Sequence, residues 1–287
     1  MTELFTLNKT IYEYLRDYEE TCTDAIFWAE ETETWTIDVI LEKVKEYAVG
    51  LNRIGIERGM KVVLRMERNI SSVIMLLSVM AIGAEALLVS EKTNVLDFFN
   101  DDCYSSMKGY ITRENNSGWV CVSLTDVDRD IIPETGTFSV CNDLYAPVVV
   151  LKTMLNGRTI KQKFSQHDLL KELYDMKSNA VCRKNDRMLA VLPLYTEFGI
   201  KVFLYALIAG CSLIFPKMFG NRHLLHCVEA YRVSAFCAAD INLEEMMKYS
   251  GEYCLSSLKC IVVSEQEVTA ALADGIQENL TAELIIL

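Results

Sequence analysis

Lysine and arginine side chains gathered on a tight turn can hold a phosphate or another anion, and this chain gathers four of them in one place. Lys152, Arg158, Lys161 and Lys163 fall inside a window, from Asp143 to Asp168, that contains no other acidic side chain. The whole chain has a formal net charge of −12, so the window is a local positive finger on an acidic protein. At its centre stands Asn156-Gly157, between two β-rich arms at 148–153 and 158–164. Asn-Gly between alternating apolar positions is the strongest short-range hairpin signal, because both residues tolerate the positive φ that a two-residue turn needs. The spacing predicts a tight β-hairpin. Its cations either face a bound anion or form the solvated face of an exposed hairpin.

Other chemistry has weaker handles. His223 and His226 lie three apart on a predicted helix, a spacing compatible with a metal, with Cys227 adjacent but predicted to point elsewhere. The bland reading, a helix N-terminal surface, is preferred, and no metal ligand is assigned. Asp126, Asp128 and Asp130 imitate the start of a calcium loop, but Ile131 stands where the turn needs Gly and Thr137 where the loop needs a bidentate Glu. There is no Gly-x-Ser-x-Gly elbow, no Walker loop and no Gly-x-Gly-x-x-Gly after a strand. The ten cysteines form no Cys-x-x-Cys pair and mostly sit in apolar segments, where a thiol behaves as a small hydrophobe.

The elements that must position these residues follow from the pattern of apolar residues. With 287 residues, 51% of them hydrophobic, the chain can bury a large α/β core. Its acidity argues against nucleic acid or an anionic membrane as main partner. The first ten residues lack a signal-peptide pattern, and the longest uncharged run, 69–84, is shorter than the roughly 20 residues a bilayer requires. Reduced cysteines and these absences together point to the cytoplasm.

In chain order, a short helix is predicted at 10–18, a strand at 25–28, and a helix at 37–54 behind Thr36 as N-cap, with Val39, Ile40, Val44, Tyr47, Ala48 and Leu51 at helical spacing. A strand at 61–66, a nearly all-apolar helix at 70–82, Gly83 as its stop and a strand at 85–89 make a βαβ unit. A helix at 95–101, strands at 108–112 and 119–123 and a polar connection at 126–136 lead to the hairpin. Asp168 is expected to cap the next helix. Then a strand at 188–194, a helix at 198–209, Gly210 and a strand at 212–215 repeat the earlier device: MLLSVMAIGAEALLV is echoed by VFLYALIAGCSLIF. Further elements are expected at 224–231, 233–236, 243–249, 258–263, 267–279 and 282–287. The repeat predicts two stacked doubly wound lobes, at about 56–165 and about 166–287, with residues 1–55 packing on the second.

This order, and several short motifs, resemble the adenylate-forming enzymes: acyl-CoA synthetases, peptide-synthetase adenylation domains and luciferases. In that family a strand leads into a loop Thr-Ser-Gly-Thr-Thr-Gly-x-Pro-Lys-Gly, then a strand and Thr-His-x-Asn-Leu. Laid on it without gaps, residues 152–161 take the loop and Ser165-Gln166-His167-Asp168-Leu169 takes the sequel, with Thr153, Gly157, Ser165, Asp168 and Leu169 agreeing in type. The family's loop wraps ATP phosphates with backbone N–H groups, which needs glycines where Cβ atoms would block approach. Here Met154 replaces one glycine, Thr159 the proline and Ile160 the lysine, although a one-residue shift returns Lys161 to that role. Ile54-Gly55-Ile56-Glu57-Arg58-Gly59 is similar to the family's lead into its first core strand, with Met60 in place of Asp. Leu192-Pro193-Leu194-Tyr195-Thr196-Glu197-Phe198-Gly199 resembles Leu-Pro-Leu-Phe-His-x-x-Gly, with Thr196 in place of the ligand-facing histidine. Ser264-Glu265-Gln266 stands where a Gly-Gly loop packs on adenine.

The resemblance implies the α/β fold of the family's large N-terminal domain, and ATP with Mg²⁺ as cofactor, or none where the motifs are eroded. Thr153, Asn156, Gly157, Arg158 and Lys161 become the positions of a degenerate phosphate loop, and Thr196, Gly199 and Ser264 those of the substrate site. No catalytic residue is assigned. The family's Tyr-Gly-x-Thr-Glu stretch, ribose-binding Asp and small C-terminal domain with its catalytic Lys follow beyond the part that this sequence, ending at Leu287, matches. The expectation is therefore a binding or scaffold domain for an acyl or amino-acid small molecule or a carrier protein; the alternative is a fragment of an active ATP-dependent ligase.

Overall fold

The computed structural model describes residues 7–21, 26–30, 33–53, 55–90, 92, 119–121, 136–155, 158–178, 183–239, 243–264, 276, 280 and 282–286. The predicted helix at 95–101, the strand at 108–112, nearly all of the 126–136 connection and all of the 267–279 helix except Ile276 lie outside these residues.

Local chemistry starts the helices. Helix α1 (Ile11–Thr21) begins in a reciprocal cap: the Thr10 amide and hydroxyl donate to the Glu13 carboxylate, and the Glu13 amide donates back to Thr10 Oγ1. After the hairpin β1 (Ile26–Glu30) and β2 (Glu33–Thr36) comes α2 (Ile37–Arg53), which buries Ile37, Ile40, Leu41, Val44, Ala48 and Leu51. Val39, read from sequence as part of that face, is 37% exposed, because it lies one position off the buried stripe. Strand β3 (Lys61–Met66), helix α3 (Ile70–Ile82) and strand β4 (Glu85–Ser90) form the first crossover unit, followed by β5 (Trp119–Cys121). Asn69 caps α3 through Ser72, and Gly83 ends it at φ 76°, a conformation that other residues adopt only with strain.

The predicted hairpin is present as β6 (Pro147–Leu155) and β7 (Arg158–Ser165). Helix α4 (Gln166–Ser178) follows directly. Its N-cap is Ser165, not Asp168 as expected: Asp168 sits three residues in and accepts from the Ser165 amide at 3.0 Å and hydroxyl at 2.7 Å, while its own amide donates to Ser165 Oγ at 3.1 Å. Then come β8 (Arg187–Val191), α5 (Glu197–Ala209), β9 (Ser212–Phe215), α6 (Asn221–Ala230), β10 (Ala235–Ala238), α7 (Leu243–Met247), β11 (Cys260–Val263) and β12 (Glu283–Ile286).

The strands build two sheets, one of seven in the order β12-β11-β10-β8-β9-β1-β2 and one of five in the order β5-β3-β4-β6-β7. All pairs are parallel except the two hairpins, β1–β2 and β6–β7, each of which finishes one edge of its sheet. Parallel strands covered on both faces are apolar at every position, and β8 alternates accordingly. Met188 and Ala190 join the cluster shared with the smaller sheet, while Leu189 and Val191 join a second cluster under α6 and α7. Between the sheets lie α3 and α5, apolar and buried nearly all round. One contiguous cluster runs from Leu64 and Leu88 on the smaller sheet through these helices to Phe215 and Val262 on the larger. The expected two-sheet, doubly wound architecture is what the chain adopts. Helix α1 docks through Tyr18, whose hydroxyl donates to the Gly210 carbonyl at 3.3 Å.

Candidate functional site

Strand β8 lies between β9 and β10: the chain leaves it through α5 to one neighbour and returns through α6 to the other. Such a reversal opens a crevice at the carboxyl ends of the strands, where α/β folds bind ligands. Residues 192–196 follow β8, Ala239 follows β10 and half-buried Ser264 follows β11, all at that edge. The predicted substrate positions Thr196 and Ser264 thus stand beyond strands separated by one intervening strand.

The side chain of Thr196 is committed locally. It caps α5 by accepting from the Gly199 amide at 3.1 Å, and donates to the Pro193 carbonyl at 2.8 Å. The Thr196 amide donates to the same carbonyl at 2.9 Å. Gly199 is required by proximity: a Cβ there would lie 2.2 Å from the Pro193 carbonyl oxygen. These two positions therefore hold the turn that shapes the crevice.

The carboxyl ends of both sheets point to the same side of the molecule. Arg68, just past β3, lies over the ring of Phe219, just past β9, at 4.4 Å from the ring centroid. The carboxyl end of β6 lies on that side too, since β6 runs parallel to β4. Its pairing with β4 spans Val149 to Leu151; beyond that, Lys152 pairs with Lys161, Thr153 with Ile160, Met154 with Thr159 and Leu155 with Arg158. Asn156 and Gly157, which follow and precede these paired arms in sequence, lie outside the described residues, as do the side chains of Thr153 and Arg158. Extended, pleated arms send successive N–H groups to opposite edges, whereas a phosphate nest needs them to converge. As arranged, the paired residues do not fit a triphosphate-wrapping loop.

Nor is the positive finger a bare patch. Lys163 lies 3.0 Å from Oε1 of Glu85 and donates to its Oε2 at 3.1 Å; Glu85, at the start of β4, has only 8% of its side chain exposed. Lys161 is exposed.

Sequence reading missed a polar cluster joining α4, α5 and β7. Lys201 is bound by Glu172 and Glu197 and lies 5.7 Å from the ring centroid of Phe164. Burial alone would lower the Lys201 pKa, but hydrogen bonds and charge from the two carboxylates outweigh it and hold the ammonium above its ordinary range. The Glu197–Lys201 spacing of four was a readable signal; the partner on α4 was not. One detail of the histidine reading needs correction. Cys227, predicted to point elsewhere, faces His223, with Sγ 3.6 Å from Nε2, because residues four apart share a helix face. Among the described residues no group of three or more His, Cys, Asp or Glu is placed to hold a metal, and no helix is long and apolar enough to cross a membrane.

Two stacked sheets with a switch-point crevice and a hairpin at one sheet edge make a fold like that of the N-terminal part of adenylate-forming enzymes. The comparisons agree with it. Residues 162–286 match the family model described as AMP-binding enzyme. A 2-succinylbenzoate–CoA ligase from Bacillus pumilus is 20% identical over 249 residues, covering 80% of this chain and 48% of the relative. The chain thus spans about half the length of that curated relative. The N-terminal subdomain of Klebsiella oxytoca NpsA, solved with 3-hydroxybenzoyl-AMSN, superposes with a TM-score of 0.79 at 16% identity, covering 97% of this chain and 72% of that one. The nonribosomal peptide synthetase FmoA3, in an AMPPNP-bound form, gives 0.80 at 14% identity, covering 98% of this chain and 32% of that one. The resemblance read from sequence is therefore that of an adenylate-forming-like chain matching an N-terminal portion.

Proposed function

We propose that this chain is a binding or scaffold domain of adenylate-forming descent that does not itself activate an acid with ATP. One observation carries the reading: the positions of the phosphate loop are two paired strands from Lys152–Lys161 to Leu155–Arg158, closed by two residues. Thr153, Asn156, Gly157, Arg158 and Lys161 are then remnants of a nucleotide site. Thr196, Gly199 and Ser264 mark the crevice, which takes an acyl or amino-acid small molecule or the loaded end of a carrier protein. The sub-lobes are assigned to about 56–165 and about 166–287, with 1–55 packing on the second, and the working compartment is the cytoplasm. Calorimetric titration of the chain with Mg·ATP tests the proposal. No saturable heat into the millimolar range is expected, and micromolar binding would overturn it.

A second reading has its own support. The match to an AMP-binding model over 162–286, together with a chain spanning 48% of a CoA ligase, fits part of a working ligase with a divergent phosphate loop. In that case Lys161 and Gly157 serve the phosphates, and a longer protein containing this chain would catalyse acid-dependent pyrophosphate exchange.

A further inference from the structure

We draw no further inference here: the strongest candidate, the surface patch where Arg68 lies over Phe219 beside the exposed Met218 at the carboxyl ends of the two sheets, carries nothing because nothing in the structure shows what covers it.

Discussion

The side-chain oxygen Oε1 of Gln166 accepts a hydrogen bond from the Ile11 amide at 2.9 Å, across 155 residues of sequence. Gln166 is 1% exposed, so this first residue of α4 satisfies an otherwise orphaned donor at the start of α1 in a place water does not reach. Gln166→Leu leaves that amide unpaired. The expected loss is about 1–3 kcal/mol of unfolding free energy, measured by urea denaturation. An unchanged midpoint would show that the bond contributes nothing.

Thr196→Val keeps the shape of the side chain but removes both of its hydrogen bonds. A loss of about 0.5–2 kcal/mol is expected, and Thr196→Ser should recover most of it. If Thr196 instead acted only on a ligand, the valine variant would melt like the parent.

Lys163 and Glu85 form a pair with one buried partner. Lys163→Met strands a carboxylate that has little access to water, with an expected cost of about 1–3 kcal/mol. Adding Glu85→Gln should return part of that loss. A double-mutant cycle that is strictly additive would remove the coupling claimed for this pair.

Asp168 and Asp186 both have pKa values held below the ordinary carboxylate range. For Asp168 the cause is the Ser165 hydroxyl and amide; for Asp186, burial pushes upward but the Lys259 ammonium and the Arg183 amide outweigh it. A depressed folded-state pKa gives stability that is present above the unfolded-state value and is lost as pH falls through the folded one. Asp186→Asn should therefore be less stable than the parent at neutral pH, and the gap should narrow as the pH drops below about 4. Melting curves at pH 7 and pH 3 would reveal this, and an equal gap at both would contradict it.

Arg232 holds φ 50° just past the C-cap residue Tyr231 of α6, a left-handed position that glycine occupies with less strain. Arg232→Gly is expected to raise stability by about 0.5–1 kcal/mol. A fall in the melting temperature would show that the arginine side chain contributes more than its backbone costs.

What the sequence disclosed was local. Asn156-Gly157 announced the hairpin, and the two nearly all-apolar segments ending at Gly83 and Gly210 announced two helices, which lie between the sheets because a mostly apolar helix must be covered on most sides. Boundaries drifted where two residues competed for one role. Ser165 and Asp168 both suit a helix start, and only their reciprocal bonding shows which is the cap. Strand β10 begins at Ala235 and not at Val233, since the Val233 amide still closes the turn after α6 by donating to the Val228 carbonyl. Pairs such as Gln166 with Ile11, or Lys201 with Glu172, left no mark, because nothing in a periodic pattern records which distant segment will lie alongside. At the crevice, the motif set Thr196 near Pro193 and Gly199 along the chain; that its hydroxyl is spent on the turn between them is visible only in the fold.

The helices between the sheets are common property. With α3 and α5 buried in a single cluster that touches both sheets, the two halves share one interior, and the second half adds a further cluster of its own under α6 and α7. Cutting the chain between them would leave each piece with a bare greasy flank where the shared helices now touch the opposite sheet.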